Sequence, residues 1–297
     1  MARLTSRLLR RRWRVLLAAA LALPAAAQKH AQPPKSLRVY VFDCGMIKGL
    51  DPFTTFHLKK EQLAGVDFVV PCYLIAHPKG TLMWDTGVVP DSAFKPGPDG
   101  RPLPVSQGNP PVSITATKPL LPQLAAIGYT PADITYLALS HYHSDHTANA
   151  NAFAGSTWLV RQAERDAMFA QKPAGIVQVA TFSALKNART KILPETDYDV
   201  FGDGSAIIKY APGHTPGHQV LLLNLKKTGP VLIAGDLYHY PEERFTQKTP
   251  TFEFNHDESL ASRARIEAFL KQSNAQLWIE HDLATFTKLK KAPEFYE

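Results

Sequence analysis

Long apolar runs are scarce in this 297-residue chain. The N-terminal run, Val15 to Leu23, is shorter than the roughly 20 residues a membrane-spanning helix needs, and no later segment is long and apolar enough, so no membrane span is expected. Also missing is any dense Lys/Arg stripe with interleaved aromatics. The short run Lys288, Lys290 and Lys291 reads as a solvated helix or tail, and a nucleic-acid partner is not expected. No internal repeat and no linker-like break divides the chain. Cysteine is reduced to Cys44 and Cys72, which limits the chain to a single internal disulfide. Both lie in apolar, strand-like contexts, VFDCG and VVPCYLIA, where a buried free thiol is the alternative outcome.

What is present is an ordinary globular composition, 45% hydrophobic and 20% charged, compatible with a sizeable core and not with global disorder. The N-terminus sets six arginines (Arg3, Arg7, Arg10, Arg11, Arg12 and Arg14) before the apolar run, and a small-residue site, Ala25-Ala26-Ala27, after it. That order predicts a signal peptide over residues 1–27, cut after Ala27, leaving 28–297 as the mature domain in the periplasm or outside the cell. The cut removes six positive charges and no acid, so the formal +7 becomes +7 − 6 = +1 and carries no message about partners. An oxidising compartment would allow the two cysteines to pair.

From Ser36 onward LRVYVFD, VDFVVPCYLIAH and TLMWDTG are short, β-branched or aromatic, and bounded by Gly, Pro or Asp, which predicts adjacent antiparallel strands. The stretch between Pro90 and Pro119 is crowded with Pro and Gly and predicts a long surface loop without regular structure. A helix is expected over Leu120 to Ile127, stopped by Gly128, and a buried strand, ITYLALS, runs into HYHSDH. Further strands are expected at STWLVRQ, AIIKYAP, QVLLLNL, PVLIAGD and AQLWIEH, with helices at AERDAMFAQ and near Glu258 to Gln272. Two packed sheets with outer helices in one domain fit this order better than a doubly wound sheet.

The six residues His141-Tyr142-His143-Ser144-Asp145-His146 hold three imidazoles and a carboxylate, a density with no obvious value to a packed core. In an extended segment His141 and His143 project to the same side, and a turn after Ser144 would swing Asp145 and His146 towards a second ion. Further ligand types stand where strands meet loops: His214 in APGHTPGH, Asp236 at the end of VLIAGD, and His281 at the end of LWIEH. Such nitrogen and oxygen donors suit Zn²⁺, with Mn²⁺, Fe²⁺ or Co²⁺ as alternatives.

In CYLI, the WDTG turn at Trp84 to Gly87, SHYHSDH, PGHTPGH, the Gly235-Asp236 pair and the late His281-Asp282, the chain resembles the metallo-β-lactamase superfamily. Among its branches it is most similar to the N-acyl homoserine lactonases. The resemblance implies an α+β fold, a four-layer αβ/βα sandwich of two mixed sheets with helices outside. It implies one ion on His141, His143 and His214, another on Asp145, His146 and His281, and Asp236 bridging them. Asp145 and Asp236 thereby become catalytic as well as ligating, around a hydroxide held between two zinc ions. Asp85 would support the site from behind. For His218 a hydrogen-bonded structural role outweighs a ligand role.

The sequence departs from the lactonases at one point: His239 stands three residues after Asp236, where they carry a tyrosine, and Tyr238 lies just before it. Either could polarise the carbonyl or protonate the leaving alkoxide, but neighbours on an extended segment point in opposite directions, so one of them should face the metals. The resemblance implies a quorum-quenching hydrolase with a small-molecule substrate, opening N-acyl homoserine lactones or related lactones. The alternatives are a class B3-type β-lactamase, against which Asp236 stands, or a thioester or other ester hydrolase; diiron chemistry and plain metal binding rank lower. Phe245, Phe252 and Phe254 are candidates for an acyl-chain pocket or simply for the core. No motif sets the oligomeric state.

Overall fold

The computed structural model describes residues 31–108 and 112–297, so the expected signal segment 1–27 lies outside the described residues. The chain forms strands β1 (Arg38–Lys48), β2 (Phe68–His77), β3 (Gly80–Trp84), β4 (Val105–Gln107), β5 (Ser113–Ala116), β6 (Tyr136–Ala138), β7 (Thr157–Arg161), β8 (Thr190–Leu193), β9 (Tyr198–Asp199), β10 (Ala206–Tyr210), β11 (Gln219–Leu225), β12 (Gly229–Ile233) and β13 (Gln276–Trp278). The helices are α1 (Pro52–Thr55), α2 (Leu120–Ala126), α3 (Ser144–Thr147), α4 (Gln162–Met168), α5 (His256–Ser273) and α6 (Leu283–Lys288). Among the described residues no helix is long and apolar enough to cross a membrane.

Two sheets result. One has the order β4-β5-β1-β2-β3-β6-β7-β8, the other β13-β12-β11-β10-β9. Strands β1, β2 and β3 pair antiparallel, β2 and β3 through a tight turn and β1 and β2 through a longer connection that carries α1, whereas β3, β6, β7 and β8 run parallel, each reached by a helical crossover. The inner faces of both sheets meet in one core, where Val39, Tyr73 and Trp84 of the first pack with Leu221, Leu223 and Ile233 of the second. Outside the first sheet Leu120 and Leu124 of α2 bury against Phe42 and Leu74; outside the second Ile266 and Leu270 of α5 bury against Val220 and Leu232. The architecture is the αβ/βα sandwich expected from the sequence.

The Pro/Gly-rich stretch departs from its expectation. It is not wholly irregular, because β4 and β5 pair with each other and β5 with the end of β1. Asp91, also in that stretch, accepts the backbone N–H groups of Leu120 and Leu121 at 2.7 Å each, capping α2 from a distance. Cys44 and Cys72, on adjacent strands β1 and β2, form a disulfide.

Candidate metal centre

The expected ligand residues converge at one end of both sheets. Strand β6 delivers the chain to Ser140, whose N–H is fixed by Asp85 Oδ1 at 2.7 Å. His141 and His143 follow in an extended stretch, and His143 (φ −63°, ψ 154°) caps α3, so the turn of that helix carries Asp145 and His146 round to the other side. Asp236 sits in the 3₁₀ turn Gly235–Leu237 after β12. Gly235 is required there: with φ +51° and an added Cβ only 2.7 Å from His218 Nε2, a side chain would have no room. His281 follows β13, donating from Nδ1 to Val69 O at 2.9 Å while its ring stacks on Phe68 at 4.4 Å.

Two groups of four potential ligand atoms form: His141, His143, His214 and Asp236, and Asp145, His146, His281 and Asp236. Asp236 divides its oxygens between them. Oδ1 lies 3.2 Å from His146 Nε2 and 3.1 Å from His281 Nε2, and Oδ2 lies 3.6 Å from His141 Nε2 and 3.4 Å from His214 Nε2. Nearly all of these residues are buried, yet His141 Nε2, His146 Nε2, His281 Nε2 and Asp236 Oδ1 have no hydrogen-bond partner among the described residues. Orphaned buried nitrogens are costly, and several aimed inward beside a carboxylate are what cations would satisfy. The donor set therefore fits two metal ions sharing Asp236.

Electrostatics agree. Burial, reinforced by neighbouring histidines, holds the imidazoles of His141 and His143 well below the usual histidine range, neutral and able to ligate. Burial pushes Asp236 up, but His281, His146, His141 and His239 together hold it well below the usual carboxylate range.

Behind the ligands stands a ring of groups that orient them. Asp85, in a left-handed conformation (φ 54°) uncommon for a residue with a side chain, accepts from His146 Nδ1 at 2.9 Å. His218 is structural, as its pattern suggested: Nδ1 donates to Ala211 O at 2.8 Å and Nε2 accepts Asp236 N–H at 3.0 Å, with burial pushing its imidazole down to about 3. Glu253 Oε1 meets His214 Nδ1 at 3.0 Å, and its other oxygen accepts from Ser259 Oγ. Glu280 accepts from Trp84 Nε1 at 3.0 Å; burial and the Asp85 charge raise its carboxyl well above the usual range. Sequence reading did not single out Glu253 or Glu280. The available signal was adjacency to Phe252 and His281, which says nothing about direction.

His239 and Tyr238 part company. His239 Nε2 lies 3.1 Å from Asp236 Oδ2, with Nδ1 turned to Glu243 Oε2 at 3.4 Å. Burial lowers its imidazole, but these two carboxylates prevail and raise it to about 10. Tyr238, the other candidate for a catalytic role, is turned away from the site: its ring packs under Arg263 and its hydroxyl donates to Glu267 Oε1 at 3.1 Å, on the α5 side. The alternation of an extended segment separates the pair.

A cavity of about 280 Å³ opens on the centre, with Ile47, Leu50, Phe56, Phe68, Ile176 and Phe252 as apolar wall and His143, Asp145, Asp236 and His239 as polar floor. Of the three phenylalanines proposed for a pocket only Phe252 lines it; Phe245 (84% exposed) and Phe254 (57% exposed) face solvent.

In sequence and in fold the chain is similar to known proteins. The chain is 30% identical over 268 residues to the N-acyl homoserine lactonase AttM of Azorhizobium caulinodans, covering 88% of this chain and 99% of that one. It is also 30% identical over 236 residues to an N-acyl homoserine lactonase of a Bacillus species, covering 77% and 88%. Its fold superposes on that of Bacillus thuringiensis AiiA, solved with N-decanoyl-L-homoserine at the active site, with a TM-score of 0.71 at 25% identity, covering 87% of this chain and 98% of that one. The family model of the metallo-beta-lactamase superfamily matches residues 65–270, and the chain belongs to that superfamily.

Proposed function

We propose that this protein is an exported dizinc hydrolase that opens the ring of N-acyl homoserine lactones or closely related lactones with water activated between its two ions. The observation that carries the reading is Asp236, one oxygen turned to each ligand group, at the floor of an apolar cavity of about 280 Å³. The similarity to proteins named N-acyl homoserine lactonases over most of both chains supports the substrate class.

In this reading His141, His143 and His214 hold one ion, Asp145, His146 and His281 the other, and Asp236 both. When bound, the pair would supply water acidified towards neutral pH and a Lewis acid for the lactone carbonyl. The chain's own residues do the rest. The apolar wall receives the acyl chain and keeps bulk water from the reacting atoms. His239 opens on the same cavity and replaces the lactonase tyrosine. The lactone carbonyl carbon gains a bond to the oxygen of water and loses its bond to the ring oxygen. That bond's electron pair stays on the ring oxygen, which takes a proton from His239 Nε2, and the proton released by the attacking water restores Nε2. The products are an alcohol and a carboxyl group on one open-chain molecule.

Export is supported by the N-terminal residue order and by the Cys44–Cys72 bond, since disulfides persist in oxidising compartments. N-terminal sequencing of the mature protein tests it: a retained Met1 overturns export. For the activity, the zinc-loaded protein is assayed on acyl homoserine lactones of several lengths, simple lactones, nitrocefin and a glutathione thioester, with His143→Ala as control. Lactone opening that the control lacks is expected; cleavage of nitrocefin or thioester alone would overturn the substrate class.

A further inference from the structure

His239 is clamped by its surroundings in plane but not in direction. Phe68 stacks on its ring at 5.7 Å and 19°, His281 at 5.8 Å and 9°, and Phe56 meets it at 4.7 Å. Such contacts hold the plane of an imidazole, and they are nearly indifferent to a half-turn of the ring about its Cβ–Cγ bond, which exchanges nitrogen for carbon at both edges. Something polar must choose the edge.

Glu243 is placed to do so. Its Oε2 accepts the backbone N–H of His239 at 2.5 Å and of Tyr240 at 2.9 Å, closing the 239–243 turn, and faces His239 Nδ1 at 3.4 Å as a charge contact. Its Oε1 accepts from Arg263 Nη2 at 2.8 Å. Arg263 is in turn fixed, with Nε donating to Leu237 O at 2.9 Å and Nη1 to Lys248 O at 2.8 Å. Glu243 (1% exposed) and Arg263 (5% exposed) form a buried ion pair, an arrangement that seldom repays its desolvation by stability alone. Asp236, the carboxylate at the other edge of the ring, is shared by both ligand groups and is engaged elsewhere when the site is loaded.

We propose that Glu243, held by Arg263, is the positioning residue that keeps His239 Nδ1 turned inward and so presents Nε2 to the leaving oxygen of the substrate. The inference rests on the lactone reading above for the identity of that oxygen.

Two readouts on the metal-loaded protein test it. The first needs no substrate: nitrogen-15 NMR of the histidine rings, wild type against Glu243→Gln. A slowly exchanging His239 Nδ1–H resonance is expected in the wild type and its loss or large shift in the variant; an unchanged resonance overturns the positioning role. The second compares an N-acyl homoserine lactone with its thiolactone, whose sulfur leaves as a stable thiolate and needs no proton. Glu243→Gln is expected to lower kcat for the lactone roughly 100-fold with KM within about twofold, and to leave the thiolactone within about threefold, because general-acid help is worth about 10²–10⁴. Equal losses on both substrates, or none on either, overturn the role. Glu243→Gln/Arg263→Met, which removes the stranded cation together with its partner, must give the same pattern if the single variant folds poorly. A wild type that opens neither substrate overturns the leaving-oxygen assignment and the lactone reading, and the NMR comparison still decides what Glu243 does to the ring.

Discussion

Removing the Glu253 carboxylate should weaken one ion and spare the other. Glu253 is buried and, among the described residues, touches the candidate ligands through His214, its Oε1 facing His214 Nδ1 at 3.0 Å while its other oxygen is tied to Ser259. In Glu253→Ala the imidazole N–H is left buried without an acceptor, which costs about 1–3 kcal/mol. That converts to about 5- to 150-fold in affinity for the ion that His214 holds, matching the roughly 10- to 100-fold typical of partners behind metal-bound histidines. Glu253→Gln keeps an oxygen for the N–H and loses only the charge, so a smaller loss, about 3- to 10-fold, is expected. Competition against a chromophoric chelator with known zinc affinity resolves two binding steps per chain. One should move in Glu253→Ala and the other stay within about twofold. If both ions keep wild-type affinity, or both weaken together, the orienting role assigned to Glu253 is wrong.

Other measurements follow from the same structure. Glu164 is buried beneath the His214 loop, accepting from Thr215 Oγ1 and Gly217 N, and burial raises its carboxyl from 4.5 to about 7. The folded state then holds a proton that the unfolded chain releases, so stability should fall by about 3 kcal/mol as pH rises from about 4.5 to 7 and stay level above. Urea titrations of Glu164→Gln should lack that fall, and an equal fall in the variant rules the assignment out. Reducing the Cys44–Cys72 bond, which spans a sequence separation of 28, should lower stability by roughly 3–4 kcal/mol, read as a drop in the urea midpoint of metal-free protein. A change under about 1 kcal/mol would show that the reduced chain stays held by other contacts. Phe252→Ala opens the wall of the cavity, and kcat/KM should shift towards longer acyl chains by about 10-fold or more; an unchanged chain-length profile would place the acyl chain elsewhere.

Most of the candidate metal centre was legible in the residue order because its candidate ligands sit in local patterns. In HYHSDH an extended pair followed by a turn places four candidates with no help from the rest of the chain, and β12 and β13 announce their own ends at Asp236 and His281. Strands and helices with clear apolar periods fell close to where they were read, α2 and β7 among them. The edge strand β4 and its neighbour β5 were hidden by Pro and Gly, since β5 is recruited by the end of β1 and β4 by β5, and not by their own composition. The sequence by itself determined which residues of metal-ligating type the site gathers and the elements that carry them. Only the tertiary structure decided direction: which of Tyr238 and His239 faces the candidate metal centre, that Glu253 and Glu280 stand behind the candidate ligands and Glu243 behind His239, and that Cys44 meets Cys72. The reason is distance along the chain. His281 is oriented by a carbonyl 212 residues away and Trp84 meets Glu280 across 196, contacts set by how two sheets pack and by no pattern within either segment.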